Sequence, residues 1–294
     1  MTDRSPLAVV VTADDFGIGV KTSEGIIHAH VHGPVTATSL MTITGDHARA
    51  SIPLLQDAPN LDVGLHLTLT RCGHRPLTAK KSSGLVDHNG AFRTNAHLWT
   101  LAFAGQLHQN AIAEEIAAQA QMFTKLVGRP PAYVDSHHHA HQLPIIRDAL
   151  IDVIDRRLLP RITRKTIEPP GMLRAVSGVR PKRIAAGFIG KSAGEIFSSH
   201  QIWSNDFFIG MLAPADLQRQ FPWDRFLANL PESGVIEWIV HPGFQDDTLI
   251  GRDDYGVQRT QELEALTKPP GAAAWQHLKR ALTTKSRILS QPIK

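Results

Sequence analysis

The chain has 294 residues, 42% of them apolar and 20% charged, which excludes a disordered or fibrous protein and fits a globular enzyme. Its 31 Lys and Arg against 27 Asp and Glu leave a formal charge of only +4. No basic tract is interleaved with aromatics, so no nucleic-acid partner is expected, and the single Cys72 excludes an intramolecular disulfide framework.

Residues 1–6 lack the basic and apolar pattern of a leader, and no segment approaches the length of a membrane span. Together with the lone cysteine this predicts a cytoplasmic protein with no membrane partner. Residues 7–13 are short, continuous and β-branched, the pattern of a strand buried on both faces. Residues 20–32 read as a helix stopped by Gly33-Pro34, residues 35–43 as a second strand and 46–56 as a second helix. Residues 61–69 form a third strand interrupted by Gly64, a sign that something approaches the backbone closely.

From 71 to 93 turn residues and lysines predict an inserted loop or lid. Ile112, Ile116, Ala120, Phe123 and Val127 recur at helical steps until Gly128 and Pro130-Pro131 close the helix, whose exposed face offers a homodimer surface. A brief strand at 133–135, a helix at 145–158 and a short strand at 161–163 follow. Residues 168–221 are weakly patterned, with helices expected near Ser192 and Pro214. A strand at 235–240 ends in His241-Pro242-Gly243, and helices at 260–266 and 272–282 complete the pattern without repeat or linker. Strands alternating with helices predict an α/β fold with parallel pairing and right-handed crossovers.

The run Asp135-Ser136-His137-His138-His139-Ala140-His141 gathers four imidazoles and a carboxylate. A His-rich tract alone binds metal adventitiously. Here Asp14-Asp15, His66 and His241 also fall at or just past the ends of separate strands, where barrels of parallel strands gather their active sites. One carboxylate with two imidazoles suits a divalent metal that keeps positions open, whereas one cysteine cannot build a closed thiolate site. Adjacent aspartates can then divide labour between ligand and base, although such a pair after a strand also serves as a helix cap. His241 suits a general acid, and Asp135 either a ligand or a group that orients an imidazole. His138 and His139 stay ambiguous, because neighbours in extended chain point to opposite faces. His28, His30, His32, His47, His74, His88, His97 and His108 have no interpretable partner and read as surface residues. Trp203, Trp223 and Trp238 could stack on sugar, but core packing is the commoner role. Gly17-x-Gly19 is too short for a dinucleotide fingerprint, and neither a phosphate loop nor a serine elbow is present.

Thr12-Ala13-Asp14-Asp15-Phe16-Gly17, Gly64-Leu65-His66-Leu67, the run from Asp135 to His141, and His241-Pro242 together resemble the YdjC-like carbohydrate deacetylases, which include the chitooligosaccharide deacetylases. The resemblance runs from Leu7 to about Leu266 and implies a distorted TIM-like β/α barrel with inserted loops. All of 1–294 then reads as one domain, with its core at about 7–266 and a helical extension at 267–294. The resemblance also implies one divalent metal, magnesium or zinc with manganese or cobalt as alternatives. It implies hydrolysis of the N-acetyl group of an amino sugar or chitooligosaccharide, a small carbohydrate substrate, with release of acetate. By motif position Asp15, His66 and His137 would be the ligands, Asp14 the base and His241 the acid. Arg164 would contact substrate, and Asp135 and His141 would support the site or act as alternative ligands. Residues 171–220 have no match and are expected to shape specificity. A metal-dependent phosphoester hydrolase and a non-catalytic carbohydrate-binding protein are the rival readings.

Overall fold

Among the described residues, eight parallel strands order the chain. The computed structural model describes residues 6–78, 83–175, 180–210, 223–249, 255–268 and 272–290. The strands are β1 (Leu7–Phe16), β2 (Ala37–Leu40), β3 (Asp62–Leu67), β4 (Val134–Ser136), β5 (Ile162–Thr163), β6 (Trp203–Ser204), β7 (Phe207–Ile209) and β8 (Gly234–Val240). Between and after them lie α1 (Val20–His32), α2 (Asp46–Ser51), α3 (Asn95–Phe103), α4 (Gln109–Val127), α5 (Ile146–Asp155) and α6 (Pro170–Ala175). Helices α7 (Arg180–Ser199), α8 (Trp223–Leu227), α9 (Val257–Thr267), α10 (Ala272–Ala281) and α11 (Lys285–Ser290) follow.

The strand order is β6-β5-β4-β3-β2-β1-β8-β7, so the two edges of the sheet are neighbours in sequence. Residues 203–209 are one extended segment. Its first half pairs with β5 (Thr163 with Ser204) and its second half with β8 (Phe208 with Glu237). Asn205 makes the transfer: its side chain accepts from the Lys165 N–H at 3.0 Å and donates to the Lys165 carbonyl at 2.9 Å. The sheet thereby curls into a distorted TIM-like β/α barrel, with helices outside and strand carboxyl ends gathered at one rim.

The core follows the periodicity. Helix α4 buries Ile112, Ile116, Ala120 and Phe123, with Val127 partly exposed at its end. Trp223 packs edge-on to Trp238 and Trp275 at 5.8 and 6.0 Å, so Trp223 and Trp238 are core residues. Several elements depart from expectation. The second strand stops at Leu40 because Thr42–Thr44 turns as a 3₁₀ helix, and the second helix tightens to 3₁₀ over Ile52–Asp57, where Pro53 lacks an N–H. Helix α3 lies beyond the expected loop, started by the Thr94 hydroxyl accepting from the His97 N–H. Helix α7 covers the expected helix at Ser192, while that expected at Pro214 lies outside the described residues. Among the described residues no helix is long and apolar enough to cross a membrane.

The C-terminal extension reaches inside. After α10 the Thr283 N–H donates to the Val9 carbonyl at 3.0 Å, and the Ser286 N–H donates to Asp62 at 2.8 Å, both near strand starts. Lys285 is fully buried, its Nζ 3.5 Å above the Tyr133 ring and 2.7 Å from Glu237. Gly64 has the close neighbour its place in β3 implied: a Cβ there would lie 2.3 Å from the Tyr133 ring. Gly64→Ala is therefore expected to cost about 1–3 kcal/mol by forcing Tyr133 aside. Chemical denaturation checks this, and unchanged stability would show that the ring moves freely.

Candidate active site

A one-residue bulge separates the two aspartates. Between the pairs Ala13–Thr38 and Phe16–Leu40 strand β1 carries one residue more than β2, and Asp15 adopts φ 70°. Aspartate tolerates this left-handed conformation better than most residues, and bulges re-aim side chains beside active sites. Asp14 turns to Arg164 in a two-pronged pair at 2.7 and 2.8 Å. Asp15 turns to the imidazoles, its Oδ1 lying 3.3 Å from His66 Nε2 and 3.2 Å from His137 Nδ1. Its Oδ2 accepts from Arg259 of α9 at 2.7 Å.

Parallel register sets His66 beside Asp135, and the His66 Nδ1–H donates to that carboxylate at 2.7 Å. In the neutral ring Nε2 then carries the free lone pair, on the side facing Asp15. His137 is the first residue past β4. His138 and His139 then turn the chain with φ 56° and 57°, which sends His138 to the Thr70 hydroxyl at 2.8 Å and His139 against Phe208. His141 stands apart from the cluster. Its Nε2–H donates to the Arg164 carbonyl at 2.8 Å, and its Nδ1 accepts from Ser136 at 2.7 Å. Burial pushes its pKa down to about 4, which keeps it neutral in this role.

Asp15 Oδ1, His66 Nε2 and His137 Nδ1 offer one ligand atom each, all within 4.8 Å of one another. Asp15 Oδ1 is buried with no hydrogen-bond partner, and an ionised buried oxygen beside two imidazole nitrogens fits a divalent cation. Asp14, His66 and Asp135 share that spacing, but Arg164 already bridges both of their carboxylates. Among the described residues this leaves one group of three that could hold a metal ion. Burial opposes the charge on Asp15, yet Arg259, with His137 and His66, holds its carboxyl well below the usual range. Burial likewise opposes charge on His66, but Asp14 and Asp135 outweigh it and raise its pKa to about 10.

Beneath the rim lies a buried ionic network. Arg164 has no exposed surface and also donates to Glu237 at 2.9 Å and to Asp135 at 2.6 Å. Glu237 in turn accepts from Lys285 and from the Thr12 hydroxyl, and Asp135 accepts from Ser39 at 2.7 Å. Arg164, which the resemblance set against substrate, sits behind Asp14 and does not line the cleft. His241 leaves β8 with its N–H donated to Glu262 and its ring stacked on Tyr255 at 4.1 Å. Asp14, His66, His137 and His241 line one cleft, walled also by Asn95 and Trp99 of α3.

Sequence reasoning missed Arg259, Glu237, Lys285 and the α3 wall. Only Glu237 carried a local signal, as a lone charge inside the apolar strand Val-Ile-Glu-Trp-Ile-Val.

Acidic and imidazole side chains converge on the carboxyl rim of a β/α barrel, and Asp15, His66 and His137 among them could hold a metal ion. The chain belongs to the YdjC family, whose YdjC-like protein profile matches residues 8–277. It is 36% identical over 264 residues to a chitooligosaccharide deacetylase of Yersinia enterocolitica, covering 89% of this chain and 91% of that protein. A chitooligosaccharide deacetylase of Yersinia pestis is 35% identical over 265 residues, with the same coverage of 89% and 91%. A solved structure from Enterococcus faecalis V583, provisionally named a cellobiose-phosphate cleavage protein, superposes with a TM-score of 0.75. It is 23% identical, and the match covers 97% of this chain and 99% of that one, a likeness of fold.

Removing the guanidinium would leave three buried carboxylates facing one another. Arg164→Met is expected to destabilise the fold by about 3–5 kcal/mol, measured by urea denaturation. A loss below about 1 kcal/mol, the range of exposed pairs, would mean that the network does not hold the rim.

Proposed function

We propose that this protein is a metal-dependent carbohydrate deacetylase that removes the N-acetyl group of an amino sugar or short chitooligosaccharide. The observation that carries this reading is the unpartnered Asp15 Oδ1 beside two imidazole nitrogens, with a second carboxylate, Asp14, engaged by Arg164. The names of the relatives support the substrate class. Asp15, His66 and His137 would hold the ion. A divalent ion bound there polarises the acetamide carbonyl and acidifies water. Two nitrogens and one oxygen suit zinc or another first-row ion better than magnesium, which prefers oxygen alone.

The remaining steps belong to this chain's own residues. Asp14, lining the cleft and paired with Arg164, accepts the proton of the attacking water. Attack turns the acetamide carbon tetrahedral. His241, from the other side of the β1–β8 pair, then gives a proton to the amine nitrogen as the C–N bond breaks, leaving acetate and the free amino sugar. Tyr255 stacked on the ring and Glu262 on the backbone N–H fix where that imidazole sits. Asp135 holds His66 in the tautomer a ligand requires. Arg164 acts behind Asp14 as a positioning residue. A phosphoester hydrolase built on two metals is disfavoured, because the guanidinium takes the place of a second ion.

Asp14→Asn is expected to abolish acetate release while retaining bound metal, checked by acetate assay alongside metal analysis; full turnover by that variant would remove Asp14 as base. His241→Ala should lower kcat about 10²–10⁴-fold. Chelation should stop acetate release from N-acetylglucosamine oligomers, and adding zinc, manganese or cobalt should restore it. Release of phosphate rather than acetate across a mixed substrate panel would overturn the whole reading.

A further inference from the structure

Two polar atoms on the cleft wall have no hydrogen-bond partner among the described residues and share one face of α3. Asn95 Oδ1 and Trp99 Nε1 are both buried and unbonded, and both residues line the cleft with Asp14, His66 and His137. They stand four residues apart, so one helical turn separates them. The Trp99 ring also packs against the core, but that contact leaves its N–H unused. The helix start is already capped by Thr94, which leaves the Asn95 amide free of that duty. The Trp99 ring touches Phe103 at a centroid distance of 6.1 Å, a contact that uses its apolar body and not its N–H. Buried indole N–H groups ordinarily find an acceptor, and leaving a donor and an acceptor unpaired is unfavourable.

A ligand that offers both a donor and an acceptor, with a flat apolar face between them, satisfies this wall. A pyranose ring has that chemistry: a hydroxyl donates to Asn95 Oδ1, another sugar oxygen accepts from Trp99 Nε1, and the C–H face covers the indole. We infer that the α3 wall recognises the sugar ring of the substrate and that Asn95 and Trp99 are specificity-determining residues. This rests on the amino-sugar reading above and extends it from the reacting bond to the ring. It also moves the sugar-stacking tryptophan from Trp223 and Trp238, which are core, to Trp99. A site built to hydrogen-bond hydroxyls rejects analogues that lack them, so simple N-alkyl acetamides are poor substrates.

The test uses the full chain loaded with zinc, with N-acetylglucosamine and its short oligomers as probes. Steady-state acetate release and calorimetric binding are measured for the wild type, Asn95→Ala and Trp99→Phe, after thermal melts establish that each variant is folded. Trp99→Phe keeps an aromatic ring and removes only the N–H donor and the second ring. Each variant is expected to raise KM and Kd about tenfold, with the loss falling on KM rather than kcat. An active wild type whose KM is unchanged in both variants overturns the inference. A wild type that binds the oligomers without releasing acetate removes the deacetylase reading, while weaker binding by the variants still supports the wall. Absence of both binding and release overturns the inference as well.

Discussion

The guanidinium of Arg164 is the constraint on which the rest of the site depends. A cation with no exposed surface loses its hydration and must be matched by anions at hydrogen-bond distance. Here the anions come from three strands: Asp14 from β1, Asp135 from β4 and Glu237 from β8. Their common partner leaves the end of β5, so one planar group ties strands across the barrel axis. The same group explains why consecutive aspartates differ. Asp14 faces a cation that is permanently present, while Asp15, turned by the bulge, keeps one oxygen toward two imidazoles.

That arrangement gives each member of the rim a physical reason for its orientation. Asp135 spends one oxygen on Arg164 and Ser39 and the other on His66, which fixes the orientation of the imidazole. His141, in the same histidine run, instead grips the Arg164 carbonyl and the Ser136 hydroxyl. A dense histidine run thus splits into separate tasks through two left-handed residues, His138 and His139, that break its register.

Much of the frame was legible in the sequence, and its limits have clear physical causes. Strands β1, β3 and β8 announced themselves as apolar runs, and α4 as a stripe at helical spacing, because each buries its face against many neighbours. Strands β6 and β7 did not, since two or three residues have no periodicity and are strands only through pairing with β5 and β8. Asp14, Asp15, His66, His137 and His241 stood out as reactive side chains at strand ends. Arg259 did not, because its partner Asp15 lies 244 positions away and nothing local marks it. Arg164 was visible as a charge, but a two-residue strand gave too little alternation to show that it points inward. The wall bearing Asn95 and Trp99 followed a turn-rich stretch and belongs to a short helix with only Leu98 and Ala102 buried, so it had no stripe to read.

The placement of Lys285 has a consequence for how the molecule matures. Its ammonium enters from the side of the barrel opposite the histidines, and burial pushes its pKa down even as Glu237 holds it. During synthesis it leaves the ribosome only after all eight strands. Until it docks, Glu237 is short of one counter-charge and the Tyr133 ring has no ammonium over it. The reactive rim, although assembled from residues far upstream, therefore reaches its final electrostatic balance through a late-arriving bolt driven in from below.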